Sequence, residues 1–351
     1  MIKSCDICVI KQKGYTAIFE DGQNIEALSS YFLDYPEEEW AILNRRAFWT
    51  LEHILFDLLD YLEAHYPADS VYFVHTNEAE LPDDQEQKMN ITELRSEQQT
   101  AWIDKVIEKK AIRTHFQPIV EIKNKKASVI GHELLSRGVN TQGEIIPPFK
   151  LFEAARSRNR LFALDRACRM EAVKNAAAVK MNQLIFINFI PTAIYVPEHC
   201  LATTFELIKQ IGVRPEQVVF EVVESDEVKD INHLKNILNF YRKHGFKYAL
   251  DDVGTGANDL KKLASLEPHF VKLAREFADG VSSDPAKQNV ALSVIHIAHH
   301  LKATPLAEGV EHIEDIEYLS NMGYELFQGY YFARPNEIPV VQLDGAYHAE
   351  A

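Results

Sequence analysis

The chain has 351 residues, 46% of them hydrophobic and 25% charged, the profile of an ordinary folded protein, and its formal net charge is −15. That charge argues against a nucleic-acid polymer or an anionic membrane as partner, and a phosphate-bearing ligand fits only where a cation inverts the local sign. No apolar run approaches a membrane span, and the start, MIKSCDICVIKQKG, has no signal-peptide core, so a cytoplasmic protein without membrane insertion is expected.

In chain order, residues 1–76 read as a small α+β domain. CDICVI and YTAIFE suggest short strands around a turn at Lys13-Gly14. Cys5 and Cys8 form a C-x-x-C without a second pair at metal-ligand spacing, which favours reduced thiols in a half-buried strand over a redox or metal role. The stretch from Tyr35 to Pro67 predicts helix over most of its length, with Pro36 in the first turn and Glu37 to Glu39 at the positive end of the dipole. Its aromatics, Trp40, Phe48, Trp49, Phe56 and Tyr61, suit a core or a dimer interface better than a chromophore pocket. By position the domain is expected to be sensory or dimerising, and to offer a site for a protein partner. Residues 77–99 are polar and read as a linker with a helical end.

From residue 100 to 340 apolar strand candidates alternate with amphipathic helices. The strands are THFQPIV, ASVIGHELLSR, LIFINFI, VVFEVVES, KYALDD, HFVKL, TPLAEGV and LFQGYYFA. Gly212, Gly245 and Gly323 stand where helix C-caps belong. This rhythm predicts a TIM-like (β/α)8 barrel, with a doubly wound open sheet as the alternative. Barrel active sites lie at strand C-termini, and there the chain carries Glu133, Asn188, Glu221 with Glu224, Asp251 with Asp252, and Glu308 closely followed by Glu311. Lys272 comes from the sixth strand and Gln328 from the eighth. So many converging acids cannot all stay ionised without a cation. Hard oxygen donors favour Mg²⁺, Mn²⁺ or Ca²⁺ over Zn²⁺, and two metals would suit in-line attack on a phosphodiester.

These pieces resemble, in order, the motifs of the EAL-domain family of cyclic di-GMP phosphodiesterases. FQPIV at Phe116, ELLSR at Glu133, NFIP at Asn188, EVVES at Glu221, DDVGTG at Asp251, VKLAR at Val271, AEGVE at Ala307 and QGYYFARP at Gln328 carry the resemblance, which covers about residues 114–335. It implies a barrel with one antiparallel strand and hydrolysis of cyclic di-GMP to linear pGpG, dependent on two Mg²⁺ or Mn²⁺ ions, with Ca²⁺ as an inhibitory occupant. Glu133, Asn188, Glu221 and Asp251 would hold one metal. Asp251 and Asp252 would serve the second, with Glu308 both ligand and catalytic neighbour. Lys272 would contact the attacking water. Gln117, Leu135, Arg137, Glu311 and Gln328 would hold the dinucleotide, and Glu224 would anchor the loop after the fifth strand. A homodimer regulated through the N-terminal domain is implied as well.

Three positions depart from the family pattern. Ala274 replaces the aspartate of K-x-D, Val253 replaces an aromatic, and GANDL from Gly256 replaces G-Y-S-S-L. They leave open a second function, a catalytically weak or silent domain acting as a cyclic di-GMP receptor or protein-interaction module. His296, His299 and His300 share a helix and are expected on its outer surface. Cys168 and Cys200 are expected to be packing residues.

Overall fold

The structure, a computed structural model, describes residues 13–20, 25–83, 85–194, 196–223, 231–254 and 266–343. The expected CDICVI strand with its two cysteines, Glu224, and the GANDL stretch lie outside them. Two compact units divide the chain: one takes in Lys3–Glu108 and Glu153–Arg160, the other Met1–Ile2, Lys109–Phe152 and Leu161–Ala351.

In the first unit, strands β1 (Gly14–Phe19), β2 (Trp40–Asn44), β3 (Ala47–Leu51) and β4 (Val71–His75) form an antiparallel sheet in the order β2-β3-β1-β4. The helix expected from Tyr35 onward is here corrected: a short 3₁₀ turn at Glu37–Glu39 leads into the β2–β3 hairpin, and helix α1 begins only at Glu52 and runs to His65. The reason is local. Aromatic and β-branched residues crowd Trp40 to Thr50 and suit a pleated surface. Asn44 turns the chain, its Oδ1 accepting from Arg46 N at 2.7 Å. Phe48 joins the core, Trp40 stacks on Phe32, and Tyr61 stays exposed. Within 77–99, helix α2 (Ile91–Thr100) starts at Asn90 with a reciprocal capping box to Glu93, and α3 (Trp102–Glu108) follows. The fully buried Arg158 side chain pairs with Glu52 at 2.8 Å and Asp104 at 2.5 Å in this unit.

The second unit is a closed barrel. Its strands are β5 (Ile112–Lys123), β6 (Lys126–Val139), β8 (Leu184–Phe189), β9 (Val218–Val223), β10 (Lys247–Val253), β11 (Phe270–Leu273), β12 (Thr304–Ala307) and β13 (Leu326–Phe327). Strand β7 (Ile145–Ile146) adds a short edge to β6. The order runs β5-β13-β12-β11-β10-β9-β8-β6, and pairing of β6 back to β5 closes the ring. Strand β5 is antiparallel to both neighbours and the others run parallel, so the barrel has the one reversed strand expected. The last strand is shorter than LFQGYYFA suggests, ending at Phe327. Helices α4 (Leu161–Asn175), α5 (Ala202–Gln210), α6 (Ile231–Lys243), α7 (Pro285–Leu301) and α8 (Ile313–Met322) alternate with the strands.

Both strand faces are buried, as a parallel sheet requires. Outward residues such as Ile187, Phe220 and Leu250 pack with helix residues in the larger core. Inside, Ile119, Phe186, Val219, Ala249, Phe270, Leu306 and Leu326 form one apolar layer. Side chains alternate along a strand, so the residues two further toward the mouth point inward as well. Those residues are Gln117 on the reversed strand, Asn188, Glu221, Asp251, Lys272, Glu308 and Gln328. The apolar layer is thus the floor on which a polar layer stands.

Candidate active site

Glu133 joins this polar layer from β6, directly opposite Gln117 on β5. Its Oε1 accepts from Asn188 Nδ2 and its Oε2 from Gln328 Nε2, both at 2.7 Å. Gln328 Nε2 also donates to Gln117 Oε1 at 3.1 Å. Four of the residues expected at the site therefore form one hydrogen-bonded chain along the closing strands. Leu135 and Arg137 follow Glu133 at two-residue steps, so they share its face and lead outward. Arg137 is half-buried and donates to its neighbour's carbonyl, Ser136 O, at 2.8 Å.

The other half of the layer is electrostatic. Lys272 Nζ lies 2.5 Å from Glu221 Oε1, 3.0 Å from Asp251 Oδ1 and 3.8 Å from Glu133 Oε2, and also contacts Glu308. Its side chain is 0% exposed, so water offers it no screening. None of these contacts is aligned as a hydrogen bond, and both Glu221 oxygens are buried without a hydrogen-bond partner. One ammonium faces four carboxylates. Burial would depress the lysine, but Asp251, Glu133, Glu221 and Glu308 together hold it well above its ordinary value. Burial, reinforced by Glu133, pushes Glu221 well above the usual carboxylate range, and burial with Asp251 does the same to Glu308. Glu133 goes the other way: burial opposes its charge, yet Lys272 and the amides of Gln328 and Asn188 hold it low.

Asp251 and Asp252 are adjacent, and on a regular strand they would point to opposite faces. The register of β10 against β11 shifts between Leu250 and Val253, and Asp252 takes φ +54°, the left-handed region. This bulge brings both carboxylates to the mouth. Burial and then Asp251 push the Asp252 carboxyl up to about 6. Gly254 follows at φ +115°, where a Cβ would stand 2.9 Å from Val290 Cγ1, so glycine fits both the turn and the space.

Two groups of acids have oxygens close enough to share a cation: Glu133, Glu221 and Glu308, and Asp251, Asp252 and Glu308. The all-oxygen donor set fits hard divalent ions, and Glu221 Oε2 is buried with no hydrogen-bond partner of its own. Glu308 is common to both groups, a role the family resemblance implied for Asp251. Glu311 stands apart, its Oε1 accepting from Arg275 Nη2 at 2.6 Å. Arg275 and Arg334 both lie over the half-exposed Tyr330 ring, at 5.8 and 4.2 Å from its centroid. His296, His299 and His300 are exposed on α7, and Cys168 and Cys200 are free thiols, Cys168 buried. Ala274 is 2% exposed and brings no carboxylate beside Lys272.

Two residues tied to the site were not singled out by sequence reasoning. Asp165 and Arg169 form a buried pair on α4, and Asp165 Oδ1 accepts from Ile190 N, two residues beyond Asn188, at 2.9 Å. The signal was available as two opposite charges four apart in the apolar stretch LFALDRACRMEAV.

A protein-family match described as EAL domain spans residues 95–335 and so takes in every strand of the barrel. The chain belongs to the EAL domain family. The signaling protein YkoW of Bacillus subtilis is 25% identical over 235 residues, 66% of this chain and 28% of YkoW. The probable cyclic di-GMP phosphodiesterase PdeG of Escherichia coli is 30% identical over 228 residues, 63% of this chain and 44% of PdeG. The chain thus spans less than half the length of either relative. Among solved structures, a standalone EAL protein from Vibrio cholerae O395 bound to c-di-GMP is 34% identical with a TM-score of 0.60, covering 68% of this chain and 98% of its own. The YkuI protein of Bacillus subtilis, solved with c-di-GMP and calcium, is 23% identical with a TM-score of 0.55, a likeness of fold, over 69% of this chain and 59% of its own. Among the described residues no helix is long and apolar enough to cross a membrane.

Proposed function

We propose that the chain is a metal-dependent phosphodiesterase that opens cyclic di-GMP to linear pGpG. One observation carries this reading: a buried layer of four carboxylates around a single lysine, with both Glu221 oxygens left without a hydrogen-bond partner. Such a layer is costly unless cations complete it.

Glu133, Asn188, Glu221 and Asp251 would hold one Mg²⁺ or Mn²⁺, and Asp251, Asp252 and Glu308 a second. When bound, the two ions would offset phosphate charge and make a water nucleophilic near neutral pH. Asn188 uses its NH₂ on Glu133, which leaves its Oδ1 to offer a cation. Lys272 keeps its proton among the acids, holds the attacking water by donation from Nζ, and offsets charge developing on the phosphate. Glu308, buried beside it, orients the same ammonium. Gln117, Leu135, Arg137, Glu311 and Gln328 would hold the dinucleotide, the Arg137 fork taking a phosphate. Glu224 would anchor the loop that follows Asp252. The protein would act in the cytoplasm as a homodimer, with residues 1–76, joined through 77–99 to the barrel at 100–340, taking the input signal or a protein partner.

One observation favours a second reading, a cyclic di-GMP receptor with little turnover: Ala274 leaves Lys272 without the carboxylate of the family motif, and the lysine lies against the acids themselves. A single experiment separates the two. Purified protein is mixed with cyclic di-GMP and Mn²⁺, product is followed by chromatography, and binding is followed by calorimetry. Accumulating pGpG supports the enzyme. Tight binding without product establishes the receptor, and neither binding nor product overturns both.

A further inference from the structure

The chain leaves β8 immediately after Asn188 and Phe189, and the exit is fixed from outside the barrel. Ile190 is buried, and its amide has passed the end of the ladder, so it needs a partner that water cannot supply. The next residue, Pro191, has no amide to give. Asp165 Oδ1, one turn into α4, accepts that single bond at 2.9 Å. Its other oxygen is held by Arg169 Nη1, and Arg169 Nε donates to Thr204 Oγ1 on α5 at 3.3 Å. Asp165 and Arg169 are 3% and 1% exposed.

Behind β8 and β9 Tyr241 of α6 stacks on Phe220, with centroids 4.0 Å apart and planes at 23°, and meets Phe189 edge-on at 5.3 Å. Phe220 precedes Glu221, and Phe189 follows Asn188. The aromatic stack therefore backs two of the expected cation ligands, and the charged pair is tied to the strand end of one of them, Asn188, through Ile190 N. A buried ion pair is a poor source of stability compared with apolar residues of equal volume, so its retention here calls for a role in position. We infer that Asp165, kept in place by Arg169, is a positioning residue that sets where Asn188 stands and thereby the affinity of the site for its divalent cation. This rests on the reading of the site as a cation site, and it concerns metal affinity more than the chemical step.

The test uses the full chain stripped with EDTA, with Mn²⁺ binding read by electron paramagnetic resonance so that no turnover is needed. Single substitutions would strand a buried charge, so two double variants are compared. Asp165→Asn with Arg169→Met keeps an oxygen for Ile190 N and removes both charges; Asp165→Leu with Arg169→Met removes the charges and the acceptor. Melting temperatures are recorded for both, and Ile295→Ala on α7, which packs behind β11 and β12, gives the effect of comparable destabilisation behind two other strands of the site. The Asn/Met protein is expected to bind Mn²⁺ within about threefold of the parent, and the Leu/Met protein about tenfold or more weakly, the usual loss when a ligand's outer partner is removed. Equal affinity of the two double variants overturns the positioning role while the cation site stands. So does a loss in the Leu/Met protein no greater than that of Ile295→Ala at matched stability. A parent that binds no Mn²⁺ overturns the cation site and this inference with it.

Discussion

Removing the ammonium at Lys272 exposes the electrostatics of the site most sharply. Lys272→Met replaces the side chain with an apolar one of similar length, leaving Glu133, Glu221, Asp251 and Glu308 facing one another with no internal cation. Breaking a buried ion pair from one side costs about 3–5 kcal/mol. For a unit of this size each kcal/mol moves the melting temperature by about 2–4 °C, so the metal-free variant should melt about 6–20 °C below the parent near pH 7. The deficit should shrink as pH falls. Burial and the neighbouring acids already hold Glu221 and Glu308 above the usual carboxylate range, and loss of the ammonium raises them further, so the folded variant takes up protons on acidification and gains stability relative to the unfolded chain. Saturating Mn²⁺ should recover part of the loss, about 2.7 kcal/mol at a hundred times the dissociation constant. Turnover should stay at least about a hundredfold down even with Mn²⁺, because the proposed donor to the attacking water is gone. Thermal melts at pH 5, 7 and 8, in EDTA and in Mn²⁺, read the first three effects. A metal-free variant as stable as the parent at pH 7, or one that keeps its turnover, refutes the argument.

The remaining expectations are narrower. Asp252, pushed up to about 6, must lose its proton to take a cation, so Mn²⁺ occupancy of its group should climb between pH 5 and 7, and Asp252→Asn should flatten that climb. Without metal the sign reverses: between about 4, its unfolded value, and 6 the folded acid holds a proton the unfolded one has released, so stability falls as pH rises through this window. Ala274→Asp puts a carboxylate at a position 2% exposed; turnover should rise about tenfold while the metal-free melting temperature drops, and unchanged turnover would mean Ala274 is not limiting. In the N-terminal unit, Arg158→Met leaves Glu52 and Asp104 without their buried partner and should cost about 3–5 kcal/mol in denaturant unfolding; a loss below about 1 kcal/mol would contradict the pairing. Ca²⁺ in place of Mn²⁺ should support binding of the dinucleotide without product.

The barrel was legible because its pattern repeats. Five successive parallel strands set an apolar residue on the interior floor and a polar one two places on: Phe186 and Asn188, Val219 and Glu221, Ala249 and Asp251, Phe270 and Lys272, Leu306 and Glu308. A period of two survives in a linear reading, and so did the site. Asp252 was expected beside Asp251 at the mouth, but how it gets there was not legible, since that depends on a bulge and a left-handed φ that aspartate tolerates but does not announce. The N-terminal hairpin was misread because WAILNRRAFWTL, followed at once by a true amphipathic helix, offers apolar residues at both helical and alternating spacings. Only long-range pairing with β1 decides between them. The Asp165–Arg169 pair was legible as two opposite charges four apart in an apolar stretch, but its link to Ile190 was not, because a backbone amide leaves no mark in a sequence.

That the acid layer is a cation site that cleaves a cyclic dinucleotide is the central proposal. Protein stripped with EDTA and mixed with cyclic di-GMP should yield no product, and adding Mn²⁺ should start release of pGpG, with Glu221→Gln silent under both conditions. Product formed at the same rate in EDTA, or a Glu221→Gln protein as active as the parent, would contradict it.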